Sequence, residues 1–352
     1  MVNVRVTKAR SRCGFEPHWG NQILATAYSP ITDNGATVSG QLDASAPADP
    51  SPLFGVRFGG PEAKAKNAEV GFYIVTKQGG AFVALGWIAT QPTGWVEWSG
   101  FLAFYVMGLL GTDLSFHRYF SHSGFKTSRV MRWALGILMQ LASIGSLRTF
   151  VADHRRHHAC TDQPGDPHSP YFDGRGRPLS GWRGLRHAHY GWALDEAITD
   201  LDIYGKGLRE DPVISFCHDT RVLWYIVSAL VLPALWACAF GGPDHILGTI
   251  LIAGFLRMAA TLHGFALINS LGHYKGSKPF ETGDESRNNW IVAIIALGEG
   301  WHNNHHAQPR VAFHGHSWRQ PDPTAWVIML LERLGLVWDV QRPKESITRK
   351  GR

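Results

Sequence analysis

The sequence predicts an all-α integral membrane protein, a bundle of transmembrane helices carrying a cytosolic helical cap that holds a histidine-rich metal site. Three observations predict it. Several apolar stretches approach the roughly 20 residues that cross a bilayer. Three histidine clusters, His117/His122, His154/His157/His158 and His302/His305/His306, carry spacings that suit metal binding. Lysines and arginines gather on one side of an apolar hairpin, as the positive-inside rule requires of a membrane protein.

Residues 1–68 are rich in Gly, Pro, Ser, Ala and Asp without helical or strand period, so a disordered leader is expected there. One membrane domain is expected over 69–345. Its first span, about 70–90, is weak: the apolar stretch Ala81 to Thr90 is short, with Lys77 before it and Pro92 after it. The second, 98–114, runs directly into the first histidine cluster. Val130 to Ile144 follows the basic pair Arg129 and Arg132 at helical period and reads as an interfacial or buried helix. Spans at 222–240 and 246–268, the latter carrying Arg257 and His263, are joined by the tight turn 241–245. Segments 147–220 and 269–340 form the expected cap, and 346–352 a basic tail.

Charge sets orientation. The turn 241–245 has no Lys or Arg, whereas 147–220 carries nine and 269–352 eleven, so both large segments are expected in the cytoplasm. All three clusters and His273 can then meet at one membrane face. The net charge of +6 fits an anionic membrane surface or a phosphorylated ligand. With no nucleic-acid motif present, nucleic acid is excluded as a partner. The four cysteines contain no CxxC pair and read as free thiols in a reducing compartment. Fourteen tryptophans suit a membrane interface.

On a helix, positions i, i+3 and i+4 share a face. His154, His157 and His158 should therefore point one way, as should His302, His305 and His306, and Asn269 and His273 form an i, i+4 pair. His117 and His122 are five apart and can share an ion only if the helix ends or bends between them. A lone histidine is ordinarily a cap, a surface residue or a satisfied core group. His18, His168, His187, His189, His218, His245, His263, His314 and His316 are taken that way. Nine histidines exceed the needs of one four-coordinate zinc. Two ions fit the count, and imidazole suits iron, zinc and copper alike.

The boxes HRYFSH, ADHRRHH, NSLGH and GEGWHNNHHAQP, with PGDPHSP, HYGW and SRNNW around them, resemble the membrane fatty acyl desaturases, in particular the bacterial and animal acyl-CoA Δ9 (stearoyl-CoA type) group. The likeness runs from about Trp98 to Val340. It implies four transmembrane helices, a bent acyl tunnel, and two iron ions held by His117, His122, His154, His157, His158, His273, His302, His305 and His306, with Asn269 reaching one iron through water. It further implies that O2, as co-substrate, removes two hydrogens from a fatty acyl-CoA, or another acyl carrier, to leave a cis double bond. The weak first span and the leader depart from the family pattern.

Asp153 and Glu299 are candidates to orient ligand rings, with a surface ion pair the alternative for each, to Arg155 or Arg156 in the case of Asp153. Trp290 is a candidate for the tunnel wall, with ordinary core packing the alternative. Arg183, Arg186, Lys206 and Arg209 are candidates for the phosphates of coenzyme A, or else a solvated basic face. The chain has no haem domain, dinucleotide fingerprint or cysteine set for a cluster. Electrons are therefore expected from a separate donor, such as ferredoxin or cytochrome b5 with an NAD(P)H reductase. The expected location is the bacterial inner membrane with the site facing the cytoplasm. A membrane hydroxylase with the same centre, and a metal-binding or transport protein without redox chemistry, are the competing readings.

Overall fold

The computed structural model describes residues 53–344. Residues 1–52 of the expected leader and the basic tail 346–352 lie outside the described residues. The rest of the expected leader is ordered. Strand β1 (Val56–Phe58) pairs antiparallel with a later strand, Ala197–Thr199, in the register Val56 to Thr199. Helix α1 (Gly60–Thr90) starts immediately afterwards with Pro61 in its first turn, where the missing N–H costs nothing. This segment lacks an apolar period because its polar side chains reach across to other elements. The Lys66 Nζ donates to the carbonyls of Asp195 and Ala197, and Glu69 pairs with Arg221 at 2.6 Å.

Helix α2 (Trp95–Ser121) is α-helical to Leu110 and π-helical from Gly111. A two-residue strand, β2 (Lys126–Thr127), leads to α3 (Arg129–Leu141), whose N-cap Ser128 accepts from the Met131 N–H. Helix α4 (Leu147–Cys160) is capped in the same way by Ser146. After α5 (Gly181–His189) and β3 (Ala197–Thr199), α6 (Pro212–Asp219) starts on an Asp211 cap with Pro212 behind it. Two long apolar helices follow: α7 (Arg221–Phe240), with a π-turn at Val227–Val231, and α8 (Pro243–Leu271), π-helical over Ile250–Leu256. The chain ends in short helices α9 (Trp290–Ile295), α10 (His302–Ala307) and α11 (Pro323–Arg333). Strand β4 (Val337–Trp338) then pairs antiparallel with β2.

Three helices, α2, α7 and α8, are long and apolar enough to cross a membrane. Their bounds enlarge the expected spans at 98–114, 222–240 and 246–268. Helix α1 has 31 residues, about 46 Å at 1.5 Å per residue, but its hydropathy leaves it outside that set. It lies along α8, where Gly80 meets Phe255. Between α7 and α8 the backbones approach closely: a Cβ at Gly254 would collide with the Ala229 carbonyl oxygen, the small-residue contact typical of helices packed in lipid. Arg257, fully buried in α8, donates to Ser228 of α7 and lies over the Phe104 ring of α2. Charges at such depth face the bundle interior.

The histidine-bearing segments sit where α2, α4 and α8 end. Around them a hydrophobic cluster including Phe116, Leu135, Met139, Leu147, Val151 and Ile214 ties α2, α3, α4 and α6 together.

Candidate metal centre

Nine imidazoles converge in two groups. His117, His122, His154, His158 and His305 form one, and His157, His273, His302 and His306 the other; within each, the candidate ligand atoms lie within 4.8 Å of one another. Each HxxHH box is divided between them. From α4, the i, i+4 pair His154 and His158 enters the first group while His157 crosses to the second. From α10, the i, i+4 pair His302 and His306 enters the second while His305 crosses to the first. Each box keeps its three histidines on one helix face, and that face is divided between the two groups. Positions i and i+4 lie about 40° apart around a helix, so they share a group, and i+3 falls on their other flank.

The five-residue spacing of His117 and His122 fits the π-turn that ends α2. The His122 N–H donates to the His117 carbonyl at 3.1 Å, an i to i+5 bond, and the rings stand 4.9 Å apart. Ser123, at φ 52°, then stops the helix. His273 lies two residues beyond α8, past the C-cap Gly272. Asn269, one turn earlier, lines a cavity of about 20 Å³ together with Asp113, Phe116, His157, Phe265 and Glu299.

The ring nitrogens facing inward are the Nε2 atoms. Separations are 3.1 Å for His117 to His305, 3.1 Å for His154 to His158, 3.0 Å for His273 to His302 and 3.1 Å for His302 to His306. Several of these rings have their other nitrogen committed. Nδ1 of His117 meets Glu299, that of His157 meets Asp166 at 3.0 Å, that of His273 meets Asp162 at 2.9 Å and that of His306 meets Asp284 at 3.0 Å. Glu299, Asp162 and Asp284 are held ionised and only accept, so the Nδ1 facing each of them donates and, in a neutral ring, a bare Nε2 lone pair faces inward; burial and Asp162 push Asp166, beside His157, up to about 7. Lone pair facing lone pair is repulsive unless a cation lies between them. Two nitrogens about 2.1 Å from one ion and at right angles to each other are about 3.0 Å apart. The donor set therefore fits a pair of metal ions.

Electrostatics agrees. Burial first, then neighbouring imidazoles, hold His122, His154, His157, His158, His302 and His305 well below the ordinary imidazole value. These rings are neutral, as metal ligation requires. For His273 burial is outweighed by Asp162, and its value is raised. Burial opposes ionisation of Asp284 and Glu299 too, but His306 holds the first low, and His314, His117 and Arg118 hold the second low.

Glu299 is itself fixed. Its Oε1 accepts from Arg118, which also grips Asp322, and Asp322 caps α11. The asparagines between His302 and His305 hold the loop that carries Asp284. Asn303 bonds the backbone of Phe280 in both directions and donates to Ser286, and Asn304 accepts from Asn288.

Other sequence candidates lie elsewhere. Asp153 does not orient a ligand ring: it accepts from Thr199 Oγ1, turned away because β3 packs on that flank of α4. Trp290 is 52% exposed, edge-on to Trp301 and off the cavity wall. The apolar wall belongs instead to Phe116, Phe265 and Ile268. Arg183 and Arg186 are exposed on α5, and Lys206 and Arg209 are exposed on the loop before α6. Asp162, Asp166 and Asp284 were missed by sequence reasoning. Their signal was an aspartate in a Gly/Pro- or Ser-rich loop beside a histidine box. His168 and His314, taken as ordinary, are buried against the centre. The His168 ring centroid is 4.2 Å from that of His157, and His314 Nδ1 is 3.3 Å from Glu299.

Three helices apolar enough to cross a membrane, two of which (α2 and α8) end at a paired histidine cluster, point to a membrane protein of the histidine-box metal class. Comparison with known proteins narrows this. The fatty acid desaturase family model matches residues 93–317. The chain is 37% identical to a hex-5-enoyl-[acyl-carrier protein] acetylenase of Moorena producens, over 75% of this chain and 83% of that one. It is 34% identical to an sn-1 stearoyl-lipid 9-desaturase of Synechocystis, over 70% and 72%, and 33% identical to an icosanoyl-CoA 5-desaturase of Limnanthes douglasii, over 75% and 71%. The chain belongs to the fatty acid desaturase family.

Proposed function

We propose that the protein is an O2-dependent di-iron desaturase that places a cis double bond, at Δ9, in a saturated acyl chain carried as acyl-CoA. The observation that supports this is the pairing of two imidazole groups beside a partly apolar cavity, in a chain of this family. The balance is RCH2–CH2R + O2 + 2 e⁻ + 2 H⁺ → RCH=CHR + 2 H2O. The nine histidines would hold the two irons, and bound iron supplies the activation of O2 that side chains cannot provide. The chain's own residues do the rest. Glu299, Asp162, Asp166 and Asp284 fix the rings. Phe116, Phe265 and Ile268 offer the apolar surface on which the reacting methylenes lie, and a displacement of about 1 Å there slows reaction severely. Asn269 lines the same cavity and would hold a water beside one of the irons. Helix α1 serves as a fourth span, and the centre faces the cytoplasm of the bacterial inner membrane.

Expression in a desaturase-deficient host, with double-bond location by gas chromatography–mass spectrometry, tests the reading. The expected product is a Δ9 monounsaturated acid. Hydroxylated acids without new double bonds would establish the hydroxylase instead. Bound zinc with no oxygen uptake would establish a non-redox protein. A bond at another carbon would correct the position alone. Assays with acyl-CoA, acyl-carrier protein and acyl-lipid decide the carrier, which the relatives leave open because their names span all three.

A further inference from the structure

A second concavity, of about 480 Å³, opens on the opposite flank of the histidine boxes and shares no lining residue with the cavity of the metal centre. Its wall is the back of that centre. Tyr119 and Phe120 lie between His117 and His122, Ser123 directly follows His122, and Arg155 directly follows His154. His122 and His154 are in turn 2.6 Å apart through their Nε2 atoms. The pocket is thus one residue removed from two ligands of the first group.

Its charge is one-sided. Lys126, Arg132, Arg155 and Lys206 line it against a single carboxylate, Asp211, a balance of +3. Asp211 is already engaged by Arg132. Outside the pocket Lys126 also meets Asp339, with both side chains more than half exposed, a type of pair that neutralises little in water. Arg155 is held in place by the carbonyls of Tyr204 and Lys206. Lys206 is exposed at the edge, and Trp338 supplies exposed aromatic surface over the buried rings of Tyr119 and Phe125. Basic residues around an aromatic floor suit a small interface with an acidic partner, because charge complementarity raises the encounter rate and electron-transfer contacts lie at the small end of interface sizes.

We propose that this basic pocket is the docking site of an acidic one-electron carrier protein, which delivers electrons to the first histidine group through the His122 and His154 segments. The proposal rests on the desaturase reading, because that reaction consumes two electrons that the chain has no motif to supply. Each docking event oxidises one reduced carrier by one electron. Two events and two protons from solvent complete the balance given above. The position of the pocket favours a carrier over the phosphates of coenzyme A. Lys206 shares the pocket with residues next to the iron ligands, while Arg183 and Arg186 do not line it.

The test uses the full chain in nanodiscs with two probes, a plant-type [2Fe–2S] ferredoxin and cytochrome b5. Binding is measured first on metal-free protein, for wild type, Lys126→Glu/Lys206→Glu and the distant control Arg183→Glu. At least one probe is expected to bind wild type, more weakly at about 300 mM than at about 20 mM salt. The double variant should lose about ten-fold or more of that affinity while the control changes less than about two-fold. In iron-loaded protein, reduction by the reduced probe should slow in parallel in the double variant, with reduction by dithionite unchanged. Equal binding of the probe to wild type and the double variant overturns the proposal. So does failure of both probes to bind wild type, or a double variant that loses affinity for coenzyme A and keeps the carrier. Dithionite-driven turnover separates the two failures. If it yields no double bond in wild type, the desaturase reading fails, whereas the binding measurements judge the docking surface.

Discussion

The two histidine groups share helices α4 and α10 but are braced differently. The first takes its form from helices: the π-turn of α2 supplies His117 and His122, α4 supplies His154 and His158, and α10 supplies His305. Among the described residues, only His117 of these five rests on a carboxylate. The second has four imidazoles, three of them held by aspartates from irregular loops. The braces follow the group and not the helix: His157 of α4 and His306 of α10 rest on aspartates just as His273 does past the end of α8. The second group consequently sits in the more anionic surroundings.

Removing a ligand should have the largest effect and should not distinguish the groups. His157→Ala and His305→Ala each take the crossing residue out of its box. Either should reduce desaturation to less than about 1% of wild type while membrane insertion is retained, as measured by product analysis and membrane fractionation. Retained desaturation in either variant would break the ligand assignment. Removing a brace should separate the groups. Asp162→Asn and Asp284→Asn should lower iron affinity about 10- to 100-fold with loss confined to one ion per chain. Glu299→Gln should do the same at the other ion, with the added cost of leaving Arg118 without one of its two carboxylates. Iron content per chain after limited chelation gives the count, and loss of both irons together would dissolve the distinction.

The helix-built part was legible in sequence because its signals are periodic. HxxHH and the apolar stretches of α2, α7 and α8 repeat at the helical period. The partition of each box was not legible, since it depends on a partner helix approaching from each flank of α4. Nor was the π-turn, whose i to i+5 register leaves no hydropathy pattern. Asp162, Asp166 and Asp284 escaped because loops have no period, and the role of Asp284 depends on how Asn303 pins its loop. The start of α1 was obscured because Lys66 and Glu69 look solvated in sequence but reach partners in the fold.

Acid should act through the imidazoles of both groups. Six ligand rings have folded values held well below the ordinary one. As pH falls below about 6.5 the unfolded chain takes up protons that the folded one refuses, and stability drops. His273 works in the opposite sense. Its raised value, like that of Asp166, pushed up to about 7 by burial and Asp162, gives stability that is full below the unfolded value and lost as pH rises through the folded one, two groups against six. The metal-free protein should therefore melt progressively lower from pH 7 to pH 5, by about 2–4 °C per kcal/mol lost. A melting temperature flat over that range would contradict the neutral-imidazole centre.

The smallest effect expected is at the stop of the π-turn, and it probes the helix-built group alone. Ser123 holds a left-handed conformation at φ 52°, which costs a side chain about 1–2 kcal/mol. Ser123→Gly should relieve that cost, raising the melting temperature slightly and leaving both irons in place. Ser123→Val adds a β-branch where the backbone least accepts one, and should loosen the turn that sets His122 against His117. Its iron loss should fall on the first group, leaving the ion held by Asp162, Asp166 and Asp284. Equal loss from both groups would mean that the carboxylate braces depend on the π-turn, and that the two halves of the centre form a single cooperative unit.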